Sequence, residues 1–340
     1  MDRTVEAYLR QLRLGTAVDA GPLVLVPLFS PQECSLDFIA LSAALASGTF
    51  AVREAASTGV VGTLLAENSG DRPVLLLDGQ ELAGAKQNRV LNSTILVREH
   101  SSITIPVSCT EHGRWAYTSD RFQESLSPAP PRLRRMNHQA VAASLEARGE
   151  YAGDQMRVWD CVERLSNETG VHSGTSAMRD VFESRLQDID RIGSAAPCQA
   201  GQAGLIAIAG ADVLGCDVVP RPEVYAALHK TIVRSYAMDA LLSPKCPPAP
   251  TAATLAMDFL GDIFASSERR FKSVGCGDDF RYEGTRVVGS SLVCSGCLVH
   301  AAFFRLPPGE EACGERPLPG SRTRMAFRRR QGEADGTVRD

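Results

Sequence analysis

Residues 74–92 read VLLLDGQELAGAKQNRVLN, so that a short apolar run passes directly into the densest polar sequence next to such a run. An apolar run of this length that ends at Asp78 and Gly79 is typical of a buried strand followed by a turn. Apolar residues resume at Val90 and continue to Val97, again at strand length. The stretch therefore predicts strands of a sheet, with the polar residues 78–92 at the end of the first strand.

Similar strand patterns flank this stretch on both sides. After a helical pattern at residues 6–14, apolar runs recur up to about residue 120 and are separated by Gly, Asn, Asp and Ser. These runs cover residues 23–28, 38–41, 60–65, 74–77, 90–97 and 103–109. Their spacing predicts a mostly antiparallel sheet or sandwich in the N-terminal part of the chain.

The pattern changes after residues 125–135, where three prolines are followed by three arginines. This composition predicts a loop or linker and marks a candidate subdivision near residues 125–150. Apolar residues then recur at helical spacing, and two last apolar runs predict a closing β-hairpin. The helical segments are residues 155–167, 176–192, 223–242 and 254–271, and the hairpin strands are residues 287–293 and 298–304.

Strands followed by helices and a returning hairpin are typical of an α+β fold rather than an alternating α/β fold. We expect a single α+β domain over residues 1–310, with the helices packed on the sheet. Residues 311–340 predict a disordered basic tail. The tail carries the clustered residues Arg322, Arg324, Arg328, Arg329 and Arg330.

Composition and charge exclude several classes of protein. The 340 residues include 36 Lys and Arg and 40 Asp and Glu, and the formal net charge of -4 gives no overall attraction to nucleic acid or to an anionic membrane, the tail excepted. The N-terminus lacks the order of a signal peptide, and no apolar run approaches the roughly 20 residues that cross a bilayer. We expect a cytoplasmic protein whose 10 cysteines are mostly buried or free thiols.

The polar residues 78–92 form the first candidate site. Its glycines permit tight turns and close approach of a ligand to the backbone, while its cations and amides suit an anionic, hydrogen-bonding ligand such as a phosphate or a nucleotide. The residues concerned are Gly79, Gly84, Lys86, Gln87, Asn88 and Arg89. The alternative interpretation is a solvated hairpin whose charges face water.

A second candidate site follows the predicted strand at residues 103–109. There Glu111 and His112 are adjacent, and Arg114 and Trp115 follow. A carboxylate and an imidazole are able to act as acid and base, but adjacent residues converge only where a strand has ended or bulged. A turn without a function is the alternative.

The motifs DGQELAGAKQNRVLN and SCTEHGRW, which begin at Asp78 and Ser108, resemble the bacterial and archaeal ARPP-1 family. Similarity continues through residues 204–217 and the hairpin at residues 287–304, and so covers most of the chain. The family is named for its association with ADP-ribosylglycohydrolases and rhodanese-phosphatase proteins. The resemblance therefore implies a place in NAD or ADP-ribose metabolism, without assigning a reaction.

The family motifs also imply which residues form the site. The matching residues are Gly79, Glu81, Gly84, Lys86, Gln87, Asn88, Arg89, Glu111, Gly113, Arg114 and Trp115. Gln80 and His112 differ from the residues expected at their positions, which argues against a mechanism that uses either side chain.

The motif chemistry and the resemblance together predict an ADP-ribose-like ligand. We expect Lys86, Arg89 and Arg114 to bind its pyrophosphate, and Glu81 or Glu111 to act as general base. Trp115 either stacks on a base or packs in the core.

The expected partners are this phosphorylated small molecule and proteins of ADP-ribose metabolism, with no cofactor and no membrane. The alternative from another class is a non-catalytic protein-interaction or structural module.

Cys294 and Cys297 form the one CxxC motif, at the tip of the predicted closing hairpin. A structural zinc ion needs four ligands, so that Cys276, His300 or Cys313 would have to complete the site. A turn with free thiols is the interpretation that this spacing favours, and we predict no metal. The histidines, including His138 in the arginine-rich loop, show no metal-ligand pattern and are expected to be exposed or hydrogen-bonded.

Overall fold

The computed structural model describes residues 1–32, 34–55, 61–114, 116–243 and 252–307. Strands predominate at the N-terminal end of these residues, helices in the middle, and strands return at the C-terminal end, which confirms the predicted α+β class. The predicted basic tail lies outside the described residues. No helix within them is long and apolar enough to cross a membrane.

Proline marks the start of the two longest helices, α3 and α7, at a position where its missing N–H costs no helical hydrogen bond. The helices of the described residues are α1 (Arg3–Arg10), α2 (Leu41–Ala46), α3 (Pro131–Arg148), α4 (Gln155–Thr169), α5 (Met178–Ser184), α6 (Leu186–Ala195), α7 (Pro222–Leu241) and α8 (Ala252–Phe264).

The strands of the described residues form three sheets. The strands are β1 (Arg13–Leu14), β2 (Val18–Asp19), β3 (Leu23–Phe29), β4 (Ile39–Ala40), β5 (Phe50–Glu54), β6 (Thr63–Asn68), β7 (Val74–Leu76), β8 (Glu81–Gly84), β9 (Arg89–Leu91), β10 (Ile95–Val97), β11 (Ser101–Cys109), β12 (Phe122–Glu124), β13 (Gln202–Ala209), β14 (Asp212–Val218), β15 (Ser267–Lys272), β16 (Asp278–Glu283), β17 (Val287–Cys294) and β18 (Cys297–Arg305).

The largest sheet has nine strands in the order β1-β3-β13-β14-β18-β17-β16-β15, with β2 also paired to β3. All its pairs are antiparallel. Because successive side chains point to opposite faces, Val24 and Val26 join one hydrophobic cluster and Leu25 joins another. Helices α1 and α8 contribute to the first cluster and α7 contributes to the second. The central strands are therefore buried on both faces.

A six-stranded sheet (β12-β8-β9-β11-β6-β5) and a three-stranded sheet (β10-β7-β4) share a third hydrophobic cluster. Since β7 belongs to the smaller sheet and β8 to the larger one, residues 77–80 carry the chain from one to the other. Gly79 has a φ of +78° in this crossing, and a Cβ atom there would lie 2.7 Å from the Arg134 side chain. The start of the predicted site is thus a tight turn packed against α3.

The predicted loop at residues 125–135 is wrong at its C-terminal end, because α3 begins at Pro131. Two of the three arginines lie in the first turn of α3 and face acidic partners: Arg132 bonds to Asp239, and Arg134 bonds to Asp78. Local sequence patterns do not predict these ion pairs, because the partners lie far apart in the chain. They explain why a charged, proline-led segment forms a buried helix end.

Three predicted elements are each divided in two. Residues 176–192 form α5 and α6, separated at Arg185, whose backbone is not helical. Residues 254–271 form α8 and then the edge strand β15, and residues 90–97 form β9 and β10 in different sheets. The first helix also ends at Arg10, because Arg13 and Leu14 pair with β3. The closing hairpin, by contrast, is confirmed as β17 and β18.

We predict that Gly275→Ala destabilises the fold by about 1–3 kcal/mol, the usual cost of overpacking. An added Cβ would lie 2.2 Å from the carbonyl oxygen of Leu96, to which Cys276 donates its backbone N–H. Urea unfolding measures the change. As a control, Gly261→Ala on the exposed side of α8 meets no atom within 4 Å and should stabilise the protein by about 0.5–1 kcal/mol. Equal effects of the two substitutions would contradict this packing.

Candidate functional site

The predicted site, residues 78–92, is divided between the protein interior and the surface. Its first residue belongs to a buried ion-pair network centred on Arg134. The guanidinium donates from Nε and Nη2 to Asp78, at 2.9 and 3.2 Å, and from Nη1 and Nη2 to Asp217, at 2.9 and 2.6 Å. All three side chains are at most 3% exposed. One arginine on α3 therefore joins the turn after β7 to strand β14.

Two histidines extend the network to the closing hairpin. His300 of β18 lies 3.1 Å from Asp217 through Nε2 and 2.8 Å from the Thr94 hydroxyl through Nδ1. His138 of α3 lies 2.8 Å from Asp78 through Nε2. Burial lowers the pKa of His138, so its neutral ring donates Nε2–H to the carboxylate. The predicted loop location of His138 is therefore wrong, and of the two alternatives expected for the histidines, exposed or hydrogen-bonded, it takes the second.

The two carboxylates of the network stay ionised despite their burial. Burial opposes ionisation, but Arg134 and His138 hold the pKa of Asp78 well below its usual value. Arg134 and His300 likewise lower the pKa of Asp217 to about 2. Asp78, Asp217 and His300 offer ligand atoms within 4.8 Å of one another, a spacing that suits a cation. The positive charge between the two carboxylates is nevertheless already supplied by Arg134.

At the surface, the later residues of the site line a groove between β8 and α5. This cavity, of about 390 Å³, is lined by four residues predicted from the sequence: Gly84, Asn88, Glu111 and Arg114. Three charged residues of α5, Arg179, Asp180 and Glu183, line the opposite side. A second cavity of about 210 Å³ shares Ala83, Gln123, Arg179 and Glu183 with the first. We call the two cavities together the polar groove.

Arg114 ties the two predicted site segments together. Its Nε donates to both oxygens of Glu111, at 3.0 and 2.9 Å, and its Nη2 donates to Asn88 Oδ1 at 3.2 Å. Its Nη1 donates to the carbonyl oxygens of Ala85 and Ala116, both at 2.8 Å. Burial raises the pKa of Glu111, but the hydrogen bonds from Arg114 bring it below its usual value. Both side chains of this ion pair are therefore charged. We call Arg114, together with the groups to which it donates, the latch.

Lys86 and Arg89 do not line the polar groove. Arg89 is fully buried and donates from Nη1 to Gln87 at 3.0 Å. The Lys86 ammonium lies 5.1 Å from the centre of the Tyr117 ring. The three cations expected to bind one pyrophosphate thus occupy three different settings, and Trp115 lies outside the described residues. Arg179, which the sequence did not single out, lines the groove, and its side chain is 51% exposed to solvent.

Glu81 lies behind the groove wall and is 1% exposed. It accepts a hydrogen bond of 2.6 Å from the Thr110 hydroxyl, and its backbone carbonyl accepts from the N–H of Ser125, a residue of the second cavity. Burial raises the pKa of Glu81 to about 7, while Ser125, Thr110 and Arg179 oppose the rise. A carboxyl group with this pKa exchanges a proton near neutral pH, as a general acid or base must.

Other predicted residues stand apart from the groove. His112 packs against Trp159, with ring centroids 4.2 Å apart, so that it does not act with Glu111. Gly113 approaches the backbone of Thr175, where an added Cβ would lie 2.9 Å from the Thr175 Cα. Both contacts position the segment after β11 against the helical layer.

Sequence reasoning did not single out Arg134, Asp217 or Arg179, and it considered His300 only as a ligand for a zinc site that it did not favour. Two of them carried a usable signal, because Asp217 and His300 interrupt the apolar runs VLGCDVV and CLVHAAFF. A charged residue inside an otherwise buried strand requires a buried partner. Nothing local to Arg179 or Arg134 distinguishes either of them from a surface arginine.

The fold and these two polar clusters define an α+β protein with a surface groove built on a buried ion-pair network. The chain belongs to the ARPP-1 family: the profile of the ARG and Rhodanese-Phosphatase-superfamily-associated Protein domain matches residues 11–304. No curated protein and no solved structure shows a significant match. The segments that carry the resemblance meet in the structure, since Asp78, Asp217 and His300 come from three of them.

We predict that Asp217→Asn lowers the free energy of unfolding by about 3–5 kcal/mol, because it leaves Arg134 with one carboxylate in the interior. The matched control is Asp188→Asn, which removes an exposed partner of Arg191 and should cost less than about 1 kcal/mol. Chemical denaturation compares the two. If both variants lose the same stability, Arg134 does not depend on Asp217.

We also predict that Glu81 makes stability fall as the pH rises. The folded protein holds the Glu81 proton up to about pH 7, whereas the unfolded chain releases it near its usual value of 4.5. Unfolding is therefore favoured progressively between these two values, by about 3 kcal/mol in total. Glu81→Gln should remove this decline and be the more stable protein at pH 8.

Denaturant unfolding across pH 4–8 tests the Glu81 prediction. Glu163→Gln, on the exposed side of α4, serves as control and should keep the parent profile. A parent stability curve that is flat between pH 4.5 and 7 would show that Glu81 ionises normally.

Proposed function

We propose that this protein binds an ADP-ribose-like, phosphorylated nucleotide in the polar groove and processes it with Glu81 as general acid or base. One observation carries the proposal: Gly84, Asn88, Glu111 and Arg114, predicted from two separate motifs, line one cavity together with an exposed arginine. A volume of about 390 Å³ lies within the range of small-molecule sites.

The groove chemistry matches the two kinds of group on such a ligand. Arg179 offers a guanidinium that is paired with the exposed Glu183 of the same helix, and a phosphate competes well for such a cation. The carboxylates of Glu111 and Asp180 accept hydrogen bonds from ribose hydroxyls. Asn88 adds an amide within the same wall.

A pKa near 7 and a place behind Ser125, a residue of the second cavity, support the role of Glu81. A carboxyl group in this range is protonated in part of the molecules and ionised in the rest, which suits proton transfer to or from a ribosyl oxygen. Glu111 is the weaker candidate for this role, because Arg114 holds it ionised.

The family name adds a biological setting, since it associates the domain with ARG and rhodanese-phosphatase proteins. We infer that the protein acts in the cytoplasm beside enzymes of ADP-ribose metabolism. The ligand class and the partners both rest on this association and on the groove chemistry.

A non-catalytic interaction module is the second candidate function. It is favoured by the latch itself, because Arg114 donates to a carboxylate, an amide and two carbonyl groups and Arg89 is fully buried. In this alternative the motif residues stabilise the fold, and the groove faces a partner protein.

Isothermal titration calorimetry with ADP-ribose and NAD separates the two functions. We predict that Arg179→Ala weakens ADP-ribose binding about 10- to 100-fold, the loss expected for hydrogen bonds to a charged group. Arg191→Ala, which removes an exposed arginine of α6, is the matched control and should bind like the parent. The variant Lys86→Ala tests whether the charge of Lys86, which does not line the groove, contributes to ADP-ribose binding.

Absence of binding by the parent protein would overturn the proposal and favour the interaction module. Equal losses in Arg179→Ala and Arg191→Ala would show that the ligand is held by general positive charge rather than by the polar groove.

A further inference from the structure

Cys34 and Cys297 share a recess away from the polar groove. Cys34 lies between β3 and β4, and Cys297 begins β18 at the tip of the closing hairpin. Both line one small surface recess, together with residues of α1. Neither residue takes part in the function proposed above, which leaves the pair of thiols to be explained.

The surroundings of Cys297 stabilise a thiolate. The hydroxyl of Ser35 lies 3.3 Å from its sulfur. Burial opposes ionisation, but hydrogen bonds from the Ser35 side chain and backbone, the Cys34 thiol and the Leu36 backbone lower the pKa of Cys297 below its usual value. Converging N–H, O–H and S–H donors around one sulfur are typical of reactive cysteines rather than of inert core thiols.

Cys34 has the opposite character. It is 7% exposed, and burial raises its pKa to about 12, so it remains a protonated thiol facing the Cys297 sulfur. A partly exposed thiol with a lowered pKa beside a buried thiol is the arrangement in which one sulfur attacks an external disulfide and the second resolves the product.

We propose that Cys297 and Cys34 form a redox-active pair that exchanges with low-molecular-weight disulfides. In the first step, the Cys297 thiolate attacks one sulfur of the external disulfide and releases its other half as a thiolate. In the second step, Cys34 loses its proton to water and attacks the Cys297 sulfur, and the second half departs as a thiolate. Two protein thiols and one external disulfide thus become one protein disulfide and two external thiols.

Cys294 is the competing partner, because it lies opposite Cys297 in the hairpin register. Its sulfur lies 3.8 Å from the Ser295 hydroxyl, and Cys294 lines a separate cavity together with Cys276. The Cys34 thiol donates a hydrogen bond to the Cys297 sulfur, whereas no side-chain hydrogen bond joins Cys294 to it among the contacts of the described residues. Cys34 is therefore the resolving residue.

The test uses the full chain and oxidised glutathione, with intact mass and peptide mapping as readouts. The parent protein should lose two hydrogens, keep no glutathione, and yield a Cys34–Cys297 crosslink. Cys34→Ser should instead stop at a glutathione adduct on Cys297, and Cys297→Ser should form neither product. Cys294→Ser is the matched control and should behave as the parent.

A measurement on the parent protein needs no variant. The rate of Cys297 alkylation by iodoacetamide should exceed that of the partly exposed Cys198 about tenfold at pH 7, as expected for a larger thiolate fraction. Equal rates, or a crosslink that maps to Cys294 and Cys297, would overturn the proposal. A crosslink to Cys34 together with fast alkylation would support it.

Discussion

Arg134 holds two carboxylates that lie more than fifty residues away from it in opposite directions along the chain, with sequence separations of 56 and 83 residues. Asp78 lies in the turn after β7, Asp217 lies in β14 of the nine-stranded sheet, and α3 carries the arginine between them. Breaking such a buried pair exposes a charge to an apolar interior and costs about 3–5 kcal/mol. The network therefore fixes the positions of the three-stranded sheet, which contains β7, the nine-stranded sheet, which contains β14, and helix α3 relative to one another.

This constraint reaches the groove through the chain itself. Gly79 packs on the Arg134 side chain, and in the following strand β8 Glu81 is buried behind the groove wall while Gly84 lines the groove. The Arg114 latch then joins the turn between β8 and β9 to the segment after β11. A groove whose walls are fixed by packing and hydrogen bonds is preorganised, and preorganisation lowers the entropic cost of binding a ligand.

Local pattern predicted the parts of the fold that local chemistry determines. The strand at β7, the stripe of α7 and the hairpin at Cys294 and Cys297 follow from residue spacing, and Ser295 and Gly296 take the positive φ values that a two-residue turn requires. The start of α3 and the network could not be predicted, because their stabilising contacts join distant segments. The sequence motifs predicted these residues but not how deeply each is buried. In the structure Glu111 and Arg114 line the groove, whereas Arg89 lies in the interior.

The central claim is that the ligand occupies the polar groove, and a crystal structure of the complex with ADP-ribose tests it most directly. We predict density for the pyrophosphate beside Arg179 and for a ribose beside Glu111, with the latch between Glu111 and Arg114 intact. Density at another surface, or an empty groove at ligand concentrations that saturate binding in solution, would contradict the account.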